Sequence, residues 1–141
     1  LKPRQMGEGG LIVGIQRLVV EFKAHTFVDV NLVHPEKGLK NLPETHSLAL
    51  FHICQETLAN AAKHAKAKNV NISMWETKDR ALMEIRDDGI GFDMEKMRAA
   101  IGHGLANMHT RVQSVGGDVE ITSHINDGTT VLAWVPRHAR A

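Results

Sequence analysis

Glu56-Thr57-Leu58-Ala59-Asn60, followed further along by Asp87-Asp88-Gly89-Ile90-Gly91, is the pairing on which the reading of this chain turns. The first stretch sets a carboxylate and a carboxamide four residues apart, so on a helix they share one face. The second is an acidic turn whose two glycines let backbone come close to a ligand. A third stretch, Gly102-His103-Gly104-Leu105, stands at the opening of a helical pattern, where free backbone N–H groups make a seat for phosphate. A base, a metal ligand, a carboxylate that reads a nucleobase and a phosphate loop thus arrive in one order. That order points to nucleotide chemistry.

Composition narrows the field around this reading. At 141 residues the chain is long enough for one domain with a real core, and 43% hydrophobic with 23% charged residues is ordinary for a globular protein. A net charge of +1 with scattered Lys and Arg leaves no footprint for nucleic acid. The single Cys54 excludes an internal disulfide and fits a reducing compartment. No apolar run is long enough to span a membrane, and no stretch of these residues reads as a signal peptide. The chain opens on Leu1, which suggests a piece of something longer.

Periodicity then places the motifs. Leu11, Ile15, Leu18, Val19 and Phe22 recur at helical spacing between Leu11 and about His25. Val28, Val30 and Leu32 alternate as a strand, and His34 to Pro43 reads as a loop. Pro43-Glu44-Thr45 starts the longest helix, expected to reach about Ala67 with Phe51, Cys54, Leu58, Ala62 and Ala65 as its core stripe. Glu56, Asn60, Lys63 and His64 form a separate polar stripe on it. Val70, Ile72 and Met74 form a strand that turns at Thr77 to Arg80 into another, Ala81 to Asp87. A helix over Leu105 to Val115 stops at Gly116-Gly117, and Val119 to Ile125 pairs with Thr129 to Val135 through Asn126-Asp127-Gly128. The mixture predicts an α/β sandwich: a mixed, mostly antiparallel sheet with helices packed on one face.

Taken one at a time, each motif has a plainer explanation. A polar stripe on an amphipathic helix is usually a solvated face. Asp-x-Gly-x-Gly is often a strand-end turn capped by its own side chain, although Asp87 shares parity with Met83 and Ile85 and so turns inward. A carboxylate there requires a donor, and the exocyclic amine of adenine is one. Gly-x-Gly alone is a weak motif, and Thr129 is by default a strand residue, though its parity with Val131 and Ala133 directs it toward the side Asp87 occupies.

Together the motifs resemble the ATP-binding domain of the gyrase, Hsp90, histidine kinase and MutL superfamily, the Bergerat fold. Within it, Gln55 to Ala65, Asp87 to Asp93 and Gly102 to Met108 are most similar to sensor histidine kinases of the nitrate-sensor and DesK type. Arg111, Gly116-Gly117 and Gly128-Thr129-Thr130 continue the pattern, and ten residues between Gly91 and Gly102 suit a short ATP lid. The resemblance runs from about Leu11 to Pro136, which makes residues 1–141 one domain with about 1–10 a remnant of a linker.

That resemblance implies the following roles. Glu56 acts as general base, Asn60 holds Mg²⁺, and Lys63 and His64 lean on the phosphates. Asp87 accepts the adenine amine with Thr129 in support, while Gly89, Gly91 and Gly102 shape the glycine boxes. His103, Gly104 and Leu105 offer backbone N–H to phosphate. ATP and Mg²⁺ are the implied ligands, a histidine on a separate dimerisation domain the phosphate acceptor, and a response regulator the onward recipient. None of the nine histidines stands in the Arg-x-x-His-Asp context of such an acceptor, so the chain resembles the catalytic domain alone, monomeric and cytoplasmic in a bacterium. A serine kinase of the anti-sigma type and a nucleotide-binding module without turnover are the alternatives on the same fold. A zinc enzyme is disfavoured, since the histidines form no His-Glu-x-x-His or Cys cluster.

Overall fold

The computed structural model describes residues 6–7, 9–37, 39–63, 66–91 and 103–139, and for 103–106 the backbone only. In chain order the elements are α1 (Gly10–His25), β1 (Asp29–Val33), α2 (Glu44–Lys63), β2 (Asn69–Glu76), β3 (Arg80–Asp87), α3 (His103–Gln113), β4 (Asp118–Ser123) and β5 (Thr129–Pro136). The strands form one sheet in the order β1-β2-β3-β5-β4. Only β1 and β2 run parallel, because α2 carries the chain back between them; the other three pairs are antiparallel.

Alternation along the strands sets the inner layer. Val70, Ile72 and Met74 of β2, Ala81, Met83 and Ile85 of β3, and Val131, Ala133 and Val135 of β5 are buried. Their strand neighbours, such as Glu84 and Trp134, are more exposed. From the helices, Leu11, Ile15, Leu18 and Val19 of α1 and Leu50, Phe51, Ile53, Cys54 and Leu58 of α2 enter the same core, with Phe22 packed at its edge. Each such side chain contributes about 1.5–3 kcal/mol when fully buried. The α/β sandwich with helices on one face is what the periodicity predicts.

Element ends depart from the expectations for local reasons. Helix α2 is described over Glu44–Lys63 and does not reach the expected Ala67: Lys66 has a left-handed φ of 50° and the Ala67 N–H returns to the Ala61 carbonyl at 3.2 Å. The core stripe continues through buried Ala61, not Ala62, and Ala65 lies outside the described residues. Helix α3 begins at His103, two residues before Leu105, and ends at Gln113, where the Gly117 N–H caps the Val112 carbonyl at 2.8 Å. Strand β4 ends at Ser123, leaving Ile125 exposed in the turn. Among the described residues no helix is long and apolar enough to cross a membrane.

Candidate nucleotide site

The topology brings the motif-bearing ends together. Helix α2 starts where His46 Nδ1 meets the Pro136 carbonyl at 2.8 Å, at the finish of β5, and runs toward the opposite end of the sheet. At that opposite end Asp88 reaches back across the chain. Its Oδ1 accepts the N–H groups of Lys68 (2.9 Å) and Asn69 (2.8 Å), and its Oδ2 accepts the Asn69 side-chain amide at 2.8 Å. The segment leaving α2 is therefore pinned beside the end of β3. Strand β5 starts there too, since Asp87 is paired with Thr129. Helix α3 leads into β4, whose first residue pairs with Trp134 and whose last pairs with Thr129. The N-terminus of α3 consequently lies at the Thr129 end.

On α2, Glu56 and Asn60 are partly buried and Lys63 is exposed. Between them Thr57 is buried, and its hydroxyl contacts the Met108 sulfur of α3 at 3.9 Å, which holds the two helices side by side. His103, Gly104 and Leu105 occupy the first turn of α3, so their N–H groups lack intrahelical acceptors. His64 and Gly102 lie outside the described residues.

Asp87 and Thr129 are direct neighbours on one face, and both are half-buried. Burial raises the Asp87 carboxyl above its ordinary range, the N–H groups of Gly89 and Thr129 oppose that shift, and the charge of Asp88 adds to it. Gly89 donates to Asp87 Oδ1 at 2.8 Å. The strand-end turn capped by its own carboxylate is thus present, and it leaves the inward-facing group able to accept more than one donor. Asp88, one residue on, points outward and is held below the usual carboxylate range, first by the Asn69 side chain. Two adjacent carboxylates have two jobs: Asp87 faces in and Asp88 fastens the loop.

The glycines of the turn also have neighbours within the chain. Gly91 has a φ of 67°, and a Cβ there would overlap the carbonyl oxygen of His124. Its close approach is to the β4–β5 hairpin, where the Asn126 N–H also bonds the Ile90 carbonyl. Gly89 is buried and committed to Asp87.

A family model described as histidine kinase-, DNA gyrase B- and HSP90-like ATPase matches residues 45–139, which hold α2, the acidic turn, α3 and the β4–β5 hairpin. The chain belongs to that family. Membership makes this an ATP-binding domain. It is 35% identical over 136 residues to the signal transduction histidine-protein kinase/phosphatase DegS of Brevibacillus brevis, covering 96% of this chain and 35% of that protein. Likewise it is 29% identical over 136 residues to the oxygen sensor histidine kinase NreB of Staphylococcus carnosus, with 96% and 39% covered. The chain therefore spans a little over a third of these relatives. In fold it matches the histidine kinase domain of the Erythrobacter litoralis EL346 blue-light activated kinase, with a TM-score of 0.76 at 17% identity, over 96% of this chain and 65% of that one.

Two further features involve none of the predicted site residues. A cleft of about 580 Å³ is lined by Thr45, His46, His52, Arg111 and Ser114, among others, and by none of the predicted site residues. It sits where α2 starts and α3 finishes, at the opposite end of the sheet from Asp87 and the α3 N-terminus. There burial, and then the Arg111 charge, push His52 below the usual histidine range, opposed by the Gln55 side chain. Cys54 is fully buried with its thiol raised to about 12, so it packs the core and takes no part in chemistry.

Ser123 and Asp88 are the polar residues that sequence reasoning left without a role. For Asp88 a signal existed: adjacent residues at a strand end point to opposite sides, so only one of the two acids can turn inward. For Ser123 none did, because a serine at a strand end is commonplace.

Proposed function

We propose that this domain is the catalytic module of a two-component sensor histidine kinase, passing the γ-phosphate of ATP to a histidine on a separate dimerisation domain, for onward transfer to a response regulator. The observation that carries the reading is the convergence at one end of the sheet of the Glu56–Asn60 face, the Asp87–Thr129 pair and the first turn of α3. Family membership and the names of the relatives, sensor histidine kinases from bacteria, support the same assignment.

In this reading Asp87 accepts the adenine amine, with Thr129 beside it. His103, Gly104 and Leu105 offer first-turn N–H groups to phosphate oxygens, where the positive end of the helix dipole favours negative charge. Lys63, exposed in the last turn of α2, offers a cationic partner for the phosphates, and His64 and Gly102, next to α2 and α3 in sequence, are assigned to phosphate binding with it.

Among the described residues no three His, Cys, Asp or Glu side chains form a metal cluster. The donors present fit Mg²⁺ in a narrower way. Asn60 offers a partly buried amide oxygen one turn from Glu56, and a hard ion of that size takes few protein oxygens and completes its shell with phosphate and water. Bound there with ATP, it would neutralise phosphate charge. Glu56 takes the proton of the attacking imidazole or polarises it, and positioning does most of the remaining work.

The test is transfer in trans. The domain is expected to bind ATP yet remain unlabelled alone, and labelling is expected on an added dimerisation domain bearing an Arg-x-x-His-Asp histidine. Acid-labile, base-stable phosphate on this chain alone, or on an added serine substrate, would contradict the reading.

A further inference from the structure

The cleft between the start of α2 and the end of α3 has a volume of about 580 Å³, within the range of small-molecule sites. Leu48 and Ala49 bring apolar surface to it from α2, four and three residues before His52 on the same helix face. Val115 brings more from just past the end of α3. The titratable groups that line the cleft are Arg111, His52 and His46, and no Asp or Glu is among its lining residues.

This basic set has no counter-charge. Arg80 and Arg137 are engaged, the first over the Trp134 ring and the second with Glu76. Arg111 is exposed, and among the described residues its guanidinium meets no carboxylate within salt-bridge distance and no hydrogen-bond acceptor. Its charge reaches across to α2, where after burial it is the second cause that pushes His52 below the usual histidine range. The two helices thus hold like groups toward one another over a gap.

The imidazoles are oriented by their other nitrogens. His46 Nδ1 donates to the Pro136 carbonyl at 2.8 Å, and His52 Nδ1 lies 3.4 Å from Gln55 Oε1. An acceptor oxygen at each Nδ1 draws the ring proton there and leaves Nε2 for a ligand. A single anion completes such a set: it pairs with the guanidinium, cancels the repulsion felt at His52 and lets that ring take a proton. One permanent cation balances a monoanion. A carboxylate matches the guanidinium fork with two parallel N–H···O bonds, and the aliphatic lining covers an apolar body beside it.

We propose that the α2–α3 cleft is a second ligand site of this domain, taking a small carboxylate with an apolar body, its head between Arg111 and His52 and its body against Leu48, Ala49 and Val115. Inorganic phosphate suits it less, having more charge than Arg111 balances and nothing apolar to bury. The site stands apart from Asp87 and Thr129, and it holds whether or not that pair reads the base.

Hexanoate is the probe, with hexylammonium and inorganic phosphate as controls. NMR titration of the 141-residue chain with hexanoate is expected to shift the His52 ring and Arg111 side-chain signals, saturating in the millimolar range. Since His46, His52 and Arg111 face the cleft and no acid does, a bound carboxylate should move the His52 titration midpoint upward, and binding should tighten as pH falls through it. Arg111→Met keeps an aliphatic stem without the charge, and hexanoate affinity should fall roughly tenfold or more. Hexylammonium should leave both signals in place, and phosphate should move them less than hexanoate at equal concentration. The proposal is overturned by the absence of a saturable shift at His52 and Arg111, or by unchanged affinity in the variant. An equal response to hexylammonium, which would make the cleft merely apolar, overturns it too, as does a stronger response to phosphate. If Arg111→Met fails to fold, the unaltered chain decides: a His52 midpoint that rises with hexanoate supports the proposal, and one that stays or falls overturns it.

Discussion

Asp87 and Thr129 face each other across the β3–β5 ladder, the last residue of one strand against the first of the next, with both side chains turned to the core face. An acceptor carboxylate and a hydroxyl are thereby set side by side where α2 and α3 also present polar ends. The pairing makes Asp87 a group whose binding and folding roles conflict. Asp87→Asn keeps the shape but loses the charge, so ATP affinity is expected to fall roughly tenfold or more, the worth of a charge-assisted bond. Folding should respond in the opposite direction. Since burial raises its carboxyl, the folded state keeps the proton to higher pH than the unfolded chain, and stability declines as pH climbs through the window just above 3.8. The variant removes that decline, so the nucleotide-free domain should melt at a higher temperature at neutral pH. Calorimetry with and without ATP checks both halves.

Nucleotide selectivity follows from the same carboxylate. Guanine has a carbonyl where adenine has the amine, so GTP should bind the unaltered domain at least roughly tenfold more weakly than ATP. Equal affinities in a parallel titration would remove Asp87 as the reader of the base.

Glu56 separates chemistry from binding. Glu56→Gln preserves helix propensity and volume while removing the basic oxygen. Transfer to a dimerisation domain in trans should drop by roughly 10²–10⁴, with ATP affinity almost unchanged. Retention of the full transfer rate would exclude Glu56 as the base.

Asp88 is expected to matter for structure and not for the nucleotide. Asp88→Ala removes the acceptor of the Lys68 and Asn69 N–H groups and should cost about 1 kcal/mol, at the low end for such bonds because the group is exposed to solvent. Its carboxyl is depressed, so this contribution is complete above 3.8 and is lost as pH falls below it. Denaturant melts of variant and parent should therefore differ at pH 7 and converge in acid.

Gly91→Ala tests the hairpin contact. With a φ of 67° and no room before the His124 carbonyl, the substitution should destabilise the domain by about 1–3 kcal/mol. An unchanged melting temperature would mean the β4–β5 turn moves aside freely.

Much of this was legible in the residues alone. Periods of two and of helical spacing located every described element to within a few residues, because burying one face dictates which positions are apolar. Parity alone turned Asp87 inward with Met83 and Ile85, and Gly116-Gly117 announced the end of α3. Helix ends were less legible: no local pattern announced that α2 would finish short of Ala67, since the stop depends on where the chain must turn to enter β2 beside Asp88. Pattern also could not tell that Gly91 answers to the His124 backbone, a neighbour distant in sequence.

The site divides in the same way. Sequence by itself determined which residue types stand in which order, and hence a helix face with Glu56 and Asn60, an inward Asp87 and a helix start after Gly102. Only the tertiary structure decided that these belong to one end of one sheet. It alone paired Asp87 with Thr129 and Thr129 with Ser123, because strand register is a long-range property set by packing and turn geometry across segments that no local pattern links.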